Sequence, residues 1–142
     1  MDIVRWIWIY GTAILCVILS IIAFIRGGTP ERWGAAVLLL NWFGTPLVDN
    51  HHGFRTGIFL LDLATLFVFA ALSVWSRRLW LLLATALQLA TVATHVAALV
   101  APGILGRPYI IVLNIWGGWG MLLALLIGIL TVPKRRNARE SD

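Results

Sequence analysis

Three polar side chains interrupt apolar segments of the sequence, namely Asp62, His95 and Asn114. At about 1.5 Å of helix per residue, each lies roughly 7 to 9 Å from one end of its segment. We therefore expect a carboxylate, an imidazole and an amide from three helices to share one layer. Ionisable groups inside apolar helices usually mark a site for a proton, a metal ion or a small polar ligand. Alternatively, Asp62 bonds to His95 or Asn114 and only fixes helix packing.

The segment that contains His95 carries further polar residues at helical spacing. Gln88, Thr91 and His95 follow one another three and four residues apart, and Thr85 extends the row. Such spacing places these side chains on one face of a helix, which inside a membrane must turn toward protein or water. The predicted polar layer therefore consists of Asp62, His95, Asn114, Gln88 and Thr91.

Two more histidines, His51 and His52, lie in a polar loop with Asp49. Metal binding by this set is one hypothesis, but adjacent residues point in different directions and do not readily ligate one ion. The expectation is two solvated histidines with a pH response. A bis-histidine haem needs two facing histidines inside the bilayer, and only His95 is predicted to be buried. No cofactor is predicted, with metal, haem or pigment as alternatives.

The elements that carry these residues are membrane helices. Of 142 residues, 61% are hydrophobic and 12% charged, and the mean hydropathy is +0.92. A soluble domain could not cover so much apolar surface, whereas the length accommodates four or five spans of about 20 residues. The net charge of +5 does not indicate nucleic-acid binding, because the basic residues are confined to loops and the tail. A single cysteine, Cys16, excludes an internal disulfide and a CxxC redox pair.

The apolar runs predict an all-α integral membrane bundle of five transmembrane helices in a single unit, residues 1–132, followed by a basic tail, 133–142. The second run is short and carries Asn41, Gly44 and Pro46, so four spans plus a re-entrant or kinked segment is the alternative. The predicted spans are 6–25, 33–48, 58–75, 79–101 and 109–132.

The distribution of Lys and Arg predicts how the bundle is oriented. With five spans, eight basic residues share one side and three share the other, which places the N-terminus outside and the tail in the cytoplasm. If the second run does not cross, the division is seven against four and the tail stays cytoplasmic. In both topologies all the histidines and all the buried acid are expected in the non-cytoplasmic half.

Small residues recur four apart on two of the predicted helices. Gly120, Ala124 and Gly128 form one row, and Ala86 with Ala90 forms another. Such rows let helix backbones approach closely, within the bundle or against a partner. The nearby run Trp116-Gly117-Gly118-Trp119-Gly120 predicts either a kink or a groove for a lipid tail, a pigment or another helix.

Several short patterns carry a resemblance to a family. They are Gly57-Ile58-x-x-x-Asp62 at the opening of the third span, Arg78-x-Trp80 at the opening of the fourth, and Gln88 followed by His95. From about Arg26 to Leu130 the chain resembles small inner-membrane proteins of alphaproteobacteria, especially sphingomonads. The resemblance implies a bacterial inner membrane and a small helical bundle, and it supplies no catalytic residue.

The expected function is that of an accessory or interaction subunit of a larger membrane assembly, or of a homo-oligomer, because apolar surface is abundant and reactive groups are few. The alternative is a small carrier, or a proton- or ion-translocating protein, that uses the layer of Asp62 and His95. An enzyme is less favoured. The sequence shows no nucleophile with a base, no carboxylate pair and no phosphate-binding loop.

Overall fold

The computed structural model describes residues 3–49, 54–104 and 106–132, and these residues form helices and short connections without a β-strand. Each predicted span falls on one helix or, for the last span, on a set of helical segments that follow one another directly. The elements are α1 (Ile3–Arg26), α2 (Thr29–Val48), α3 (Thr56–Ser76), α4 (Leu79–Val100), a 3₁₀ turn (Pro102–Ile104), α5 (Arg107–Leu113), a π-helical segment (Asn114–Gly120) and α6 (Met121–Leu130).

α5, the π-helical segment and α6 follow one another without a break and form one continuous helix, called here the last helix. The backbone stays in the right-handed helical region at both joints, Asn114 (φ −68°) and Gly120 (φ −60°). The π-helical turns coincide with the glycine-rich run whose kink or groove the sequence predicted. Glycines tolerate this wider geometry, and π-helical turns in proteins are frequently found at functional sites.

The five long helices close a ring in chain order. Each helix packs against the next, α6 returns to contact α1, and α6 also reaches α2 across the ring. Connections as short as Gly27-Gly28 and Arg77-Arg78 make consecutive helices antiparallel. The interior is filled by large apolar side chains, among them Phe69, Leu81, Leu122 and Leu125.

The bundle therefore has two ends. α3 and the last helix begin at one end, called the Asp62 end; α2 and α4 begin at the other, called the Trp80 end.

The outer surface of the bundle is apolar. Leu47, Leu79 and Val100 are each more than 80% exposed, which in water would be costly and in lipid is favourable. By length and composition, three helices can cross a membrane: Thr56–Ser76, Leu79–Val100 and Pro108–Leu130. The chain is thus an all-α membrane protein whose outer face contacts lipid.

The second run, whose path the sequence left open, is one uninterrupted helix. α2 is 20 residues long and contains Pro46 within its last turn. Glu31 near its start contacts Trp80, whereas Asn41 near its far end contacts Asp62. Since these partners lie at opposite ends of the bundle, α2 runs its length and does not turn back as a re-entrant segment would.

A second buried acid lies at the Trp80 end, and the expectation that all buried acid lies in the other half is wrong. Glu31 is fully buried. Its Oε1 accepts a hydrogen bond from Trp80 Nε1 at 2.9 Å, and its Oε2 accepts one from the Gly28 backbone N–H at 2.9 Å. The carboxylate sits in the first turn of α2, where the helix dipole stabilises negative charge.

The connection between α3 and α4 offers a test of backbone strain. Among the described residues, Arg77 is the one non-glycine residue with a positive φ, 52°. Its backbone N–H caps α3 by donating a hydrogen bond to the Ser73 carbonyl at 3.0 Å. Because glycine adopts this conformation without steric cost, we expect Arg77→Gly to raise the free energy of unfolding by up to about 1 kcal/mol. Denaturant titration in mixed micelles measures it.

The matched control is Arg78→Gly. Arg78 has φ −89° and ψ 129°, a conformation in which a side chain is unstrained, so its replacement should give no gain. An equal gain from both variants would show that loss of positive charge, and not backbone conformation, is responsible.

Candidate functional site

The Asp62 carboxylate is the centre of a hydrogen-bond network that joins four helices. It belongs to α3 and is 7% exposed. Its Oδ1 accepts hydrogen bonds from Asn41 Nδ2 on α2 and from Gln88 Nε2 on α4, both at 3.0 Å. Gln88 Nε2 also donates to the Asp62 backbone carbonyl at 3.1 Å. Donors from both neighbouring helices thus compensate the cost of removing a carboxylate from water.

The other carboxylate oxygen contacts His95. Asp62 Oδ2 lies 3.0 Å from His95 Nε2, and His95 Nδ1 lies 2.6 Å from the Tyr109 hydroxyl on the last helix. If the hydroxyl donates to Nδ1, the tautomer with hydrogen on Nε2 donates to the carboxylate. Tyr109, His95 and Asp62 therefore form one hydrogen-bonded chain. His95 is fully buried, with the ring of Phe59 at 5.6 Å between centroids.

A pocket of about 210 Å³ lies beside these hydrogen-bonded side chains, at the Asp62 end of the bundle. Its walls come from α2, the start of α3, α4 and the last helix. Gly117 and Gly118 of the π-helical segment form part of the wall, and a Cβ on Gly117 would lie 3.3 Å from Thr91 Cγ2. The lining residues that carry polar or aromatic groups include Asn41, Trp42, Arg55, Asp62, Thr91 and Asn114.

The predicted polar layer divides into residues that bond to Asp62 and residues that face the pocket. His95 and Gln88 contact the carboxylate directly. Asn114 lines the pocket, but its amide donates to the Ile110 carbonyl at 3.0 Å. Thr91 is buried, lines the pocket and donates to the Leu87 carbonyl at 3.0 Å.

Of the three residues in the hypothetical metal site, only Asp49 lies within the described residues. His51 and His52 lie outside the described residues. Asp49 forms an ion pair with Arg55, Oδ2 to Nη1 at 3.0 Å. In the part of the chain that the structure describes, no group of three His, Cys, Asp or Glu side chains could hold a metal ion. Both ring nitrogens of His95 are hydrogen-bonded, so ligation of a haem iron would break one of these bonds.

The small-residue row on the last helix packs inside the chain. Ala124 is fully buried, a Cβ on Gly128 would lie 2.7 Å from Trp80 Cδ2, and one on Gly120 would lie 3.1 Å from Leu87 Cδ2. On α4, by contrast, Ala86 is exposed and Ala90 half-buried. Ala86 therefore has no packing role within a single chain.

Two partners of the Asp62 network were not assigned to it from the sequence. In the sequence, Asn41 is a polar interruption of the second run, and Tyr109 is the first residue of the last predicted span. A signal existed for each. Asn41 lies about two turns from the end of α2, close to the depth of Asp62, and Tyr109 lies near the start of the last helix, at the same end of the bundle.

The fold and this site define an all-α membrane bundle with a buried carboxylate and imidazole beside a pocket. Comparisons of the chain with protein-family models, with curated proteins and with solved structures gave no match. The function is accordingly argued from the geometry of the site.

Proposed function

We propose that the protein is a small membrane carrier that translocates protons through the Asp62, His95 and Tyr109 chain. The observation that supports this function is the location of a buried carboxylate, hydrogen-bonded to an imidazole, on the wall of a pocket. Carboxylate and imidazole exchange protons readily, and such pairs inside membrane helices are typical of proton relays.

The order of groups in the chain favours transfer over simple anchoring. Asp62 faces the pocket, while His95 behind it is fully buried and linked to Tyr109. In the other tautomer, with hydrogen on Nδ1 and donated to the Tyr109 oxygen, His95 Nε2 can take a proton from the Asp62 carboxylic acid, and the resulting imidazolium can then release its Nδ1 hydrogen. Hydrogen bonds from Asn41 and Gln88 to Oδ1 fix the position of the Asp62 carboxylate beside the His95 ring.

Release on the other side requires movement, since the apolar core fills the middle of the bundle. Phe69, Leu81 and Leu125 are fully buried there. The π-helical segment gives the last helix a point at which α5, which carries Tyr109, can shift relative to α6. The proposed cycle therefore alternates between the described state, in which Tyr109 is hydrogen-bonded to His95, and a state in which this hydrogen bond is broken.

Proton flux into liposomes tests this proposal. Purified protein is reconstituted with an entrapped pH dye, and a potassium diffusion potential drives proton entry. We expect uptake above that of protein-free liposomes, and its loss to that background in Asp62→Asn, because an amide cannot accept and release a proton near neutral pH.

The control uses Glu31, the other acid that is buried among the described residues. Glu31→Gln removes a buried carboxylate but keeps an oxygen that can accept from Trp80, so uptake should persist. Absence of uptake by the wild-type protein, or equal uptake by Asp62→Asn, would contradict the proposal. Circular dichroism of each reconstituted variant establishes that the bundle is folded.

The membrane and the orientation are part of the proposal. We place the protein in a bacterial inner membrane with all five helices crossing and the basic tail in the cytoplasm, as the distribution of Lys and Arg favours. The pocket then opens toward the non-cytoplasmic side. The accessory-subunit role and a homo-oligomer stay predictions, and the row of Gly120, Ala124 and Gly128, being covered within the chain, supplies no interface for either.

A further inference from the structure

Apart from Arg55 and one of the two amide hydrogens of Asn114, the polar side chains that line the pocket use their hydrogen-bond donors within the protein. Asn41 directs its amide hydrogens to Asp62 Oδ1 and to Thr65 Oγ1. The Asn114 amide donates to a backbone carbonyl, and so do the hydroxyls of Thr45 and Thr91. Each of these groups retains an oxygen that can only accept. The pocket thus offers acceptors to any molecule that enters it.

The charge of the pocket is negative in sign. Arg55 lines it and carries donors, but its guanidinium is paired with Asp49 at 3.0 Å, so the formal charges of this pair sum to zero and Asp62 adds one negative charge. Among the described residues, the hydrogen-bond donors to the Asp62 carboxylate are neutral when His95 is neutral. A ligand that brings one positive charge and hydrogen-bond donors would therefore complement the site, whereas an anion would be repelled.

The size and the apolar part of the lining favour an organic ion over a bare metal ion. A volume of about 210 Å³ equals roughly seven water molecules at about 30 Å³ each. Trp42, Ile58 and Leu113 supply apolar wall. An indole face attracts cations, and more strongly when water is excluded.

We propose that the pocket binds a small primary alkylammonium ion, with Asp62 as its counter-ion and the oxygens of Asn41, Asn114 and Thr91 as acceptors. The inference rests on the site of the proposed function and adds its substrate class: the ammonium ion and the proton compete for the same carboxylate. The carrier would then move protons alone when no amine is present and exchange protons for ammonium ions when amine is present.

Ligand binding to the wild-type protein in mild detergent tests this inference without a variant. The probes are n-propylammonium, 1-propanol and propionate, which share a chain and differ in charge, at one ionic strength fixed with sodium chloride. Trp42 lies in the pocket wall, so tryptophan fluorescence reports binding and the thermal unfolding midpoint provides a second readout. We expect saturable binding of propylammonium, at least about tenfold tighter than that of 1-propanol, and none of propionate.

The variants Asp62→Asn and Glu31→Gln locate the site. Asp62→Asn should weaken propylammonium binding by about tenfold or more, since a charge-assisted hydrogen bond is lost, and Glu31→Gln should leave it unchanged. Equal response to all three probes, stronger binding of propionate, saturation by sodium ion alone, or no binding at all would overturn the inference. Proton flux without propylammonium binding would overturn the substrate class alone; propylammonium binding without proton flux would overturn the proposed function alone.

Discussion

Trp80→Ala is expected to lower the free energy of unfolding by about 3 to 5 kcal/mol, the usual cost of removing a buried tryptophan. The Trp80 side chain is 2% exposed. Its indole lies between two glycines of other helices, since a Cβ on Gly34 would be 2.6 Å from Cη2 and one on Gly128 would be 2.7 Å from Cδ2. Truncation would leave a cavity where three helices meet and would also deprive Glu31 of a donor.

Unfolding in mixed micelles, followed by circular dichroism, measures the effect. Trp75→Ala is the matched control, because Trp75 is 64% exposed and its loss removes little packing. Trp80→Phe separates the two contributions: it keeps most of the ring and leaves Glu31 Oε1 unpaired, which should cost about 1 to 3 kcal/mol. A Trp80→Ala variant as stable as Trp75→Ala would contradict the described packing.

Much of the fold could be predicted because membrane helices can be identified from their apolar composition. A run of about 20 apolar residues has few alternatives to a helix in lipid, so the helices were placed close to their observed ends. α2 was ambiguous because Pro46 and Asn41 are typical of interrupted segments. Pro46 is accommodated because it lies in the last turn, where the helix stops two residues later at Val48.

The depth of the candidate site within the bundle could be predicted, but the contacts between its side chains could not. Counting residues placed Asp62 and His95 in one layer. The sequence does not determine how each helix is rotated, and rotation decides that Gln88 reaches Asp62 whereas Asn114 turns to the pocket wall. Helix rotation follows from side-chain packing summed over many weak contacts, which residue types alone do not specify.

Glu31 shows a different limit of sequence reasoning. An acid after Thr29-Pro30 and before Arg32 is typical of an exposed helix start. It is buried because the Trp80 indole and the Gly28 N–H both point at it, and the contact with Trp80 joins residues 49 positions apart. Its spacing of three from Gly28 was the available signal, since a glutamate at that position often caps the start of its own helix.

The two buried acids have different chemical surroundings, which explains why only one is proposed to move protons. Glu31 is held by an indole and a backbone N–H, and neither group exchanges protons near neutral pH. Asp62 is held by an imidazole and faces a pocket, so it has a proton acceptor on one side and a route of access on the other. Burial alone therefore does not indicate function here.

The second large effect is expected for His95→Leu, which should lower the free energy of unfolding by about 3 to 5 kcal/mol. The change leaves Asp62 Oδ2 and the Tyr109 hydroxyl without their partner at the centre of the site. A buried charge that loses one of its donors is more costly than a neutral group in the same place. Adding Asp62→Asn to His95→Leu should therefore recover at least about 1 kcal/mol, a coupling within the usual range for residues in contact.

Tyr109→Phe distinguishes a relay from a structural anchor within the same network. It removes one hydroxyl and should cost only about 1 kcal/mol of unfolding free energy, the net value of a typical hydrogen bond. If His95 only ties helices together, proton uptake by Tyr109→Phe should match that of the wild-type protein once equal amounts of folded protein are compared. If the chain passes protons, uptake should fall severalfold at nearly unchanged stability, because His95 Nδ1 loses the group with which it exchanges hydrogen.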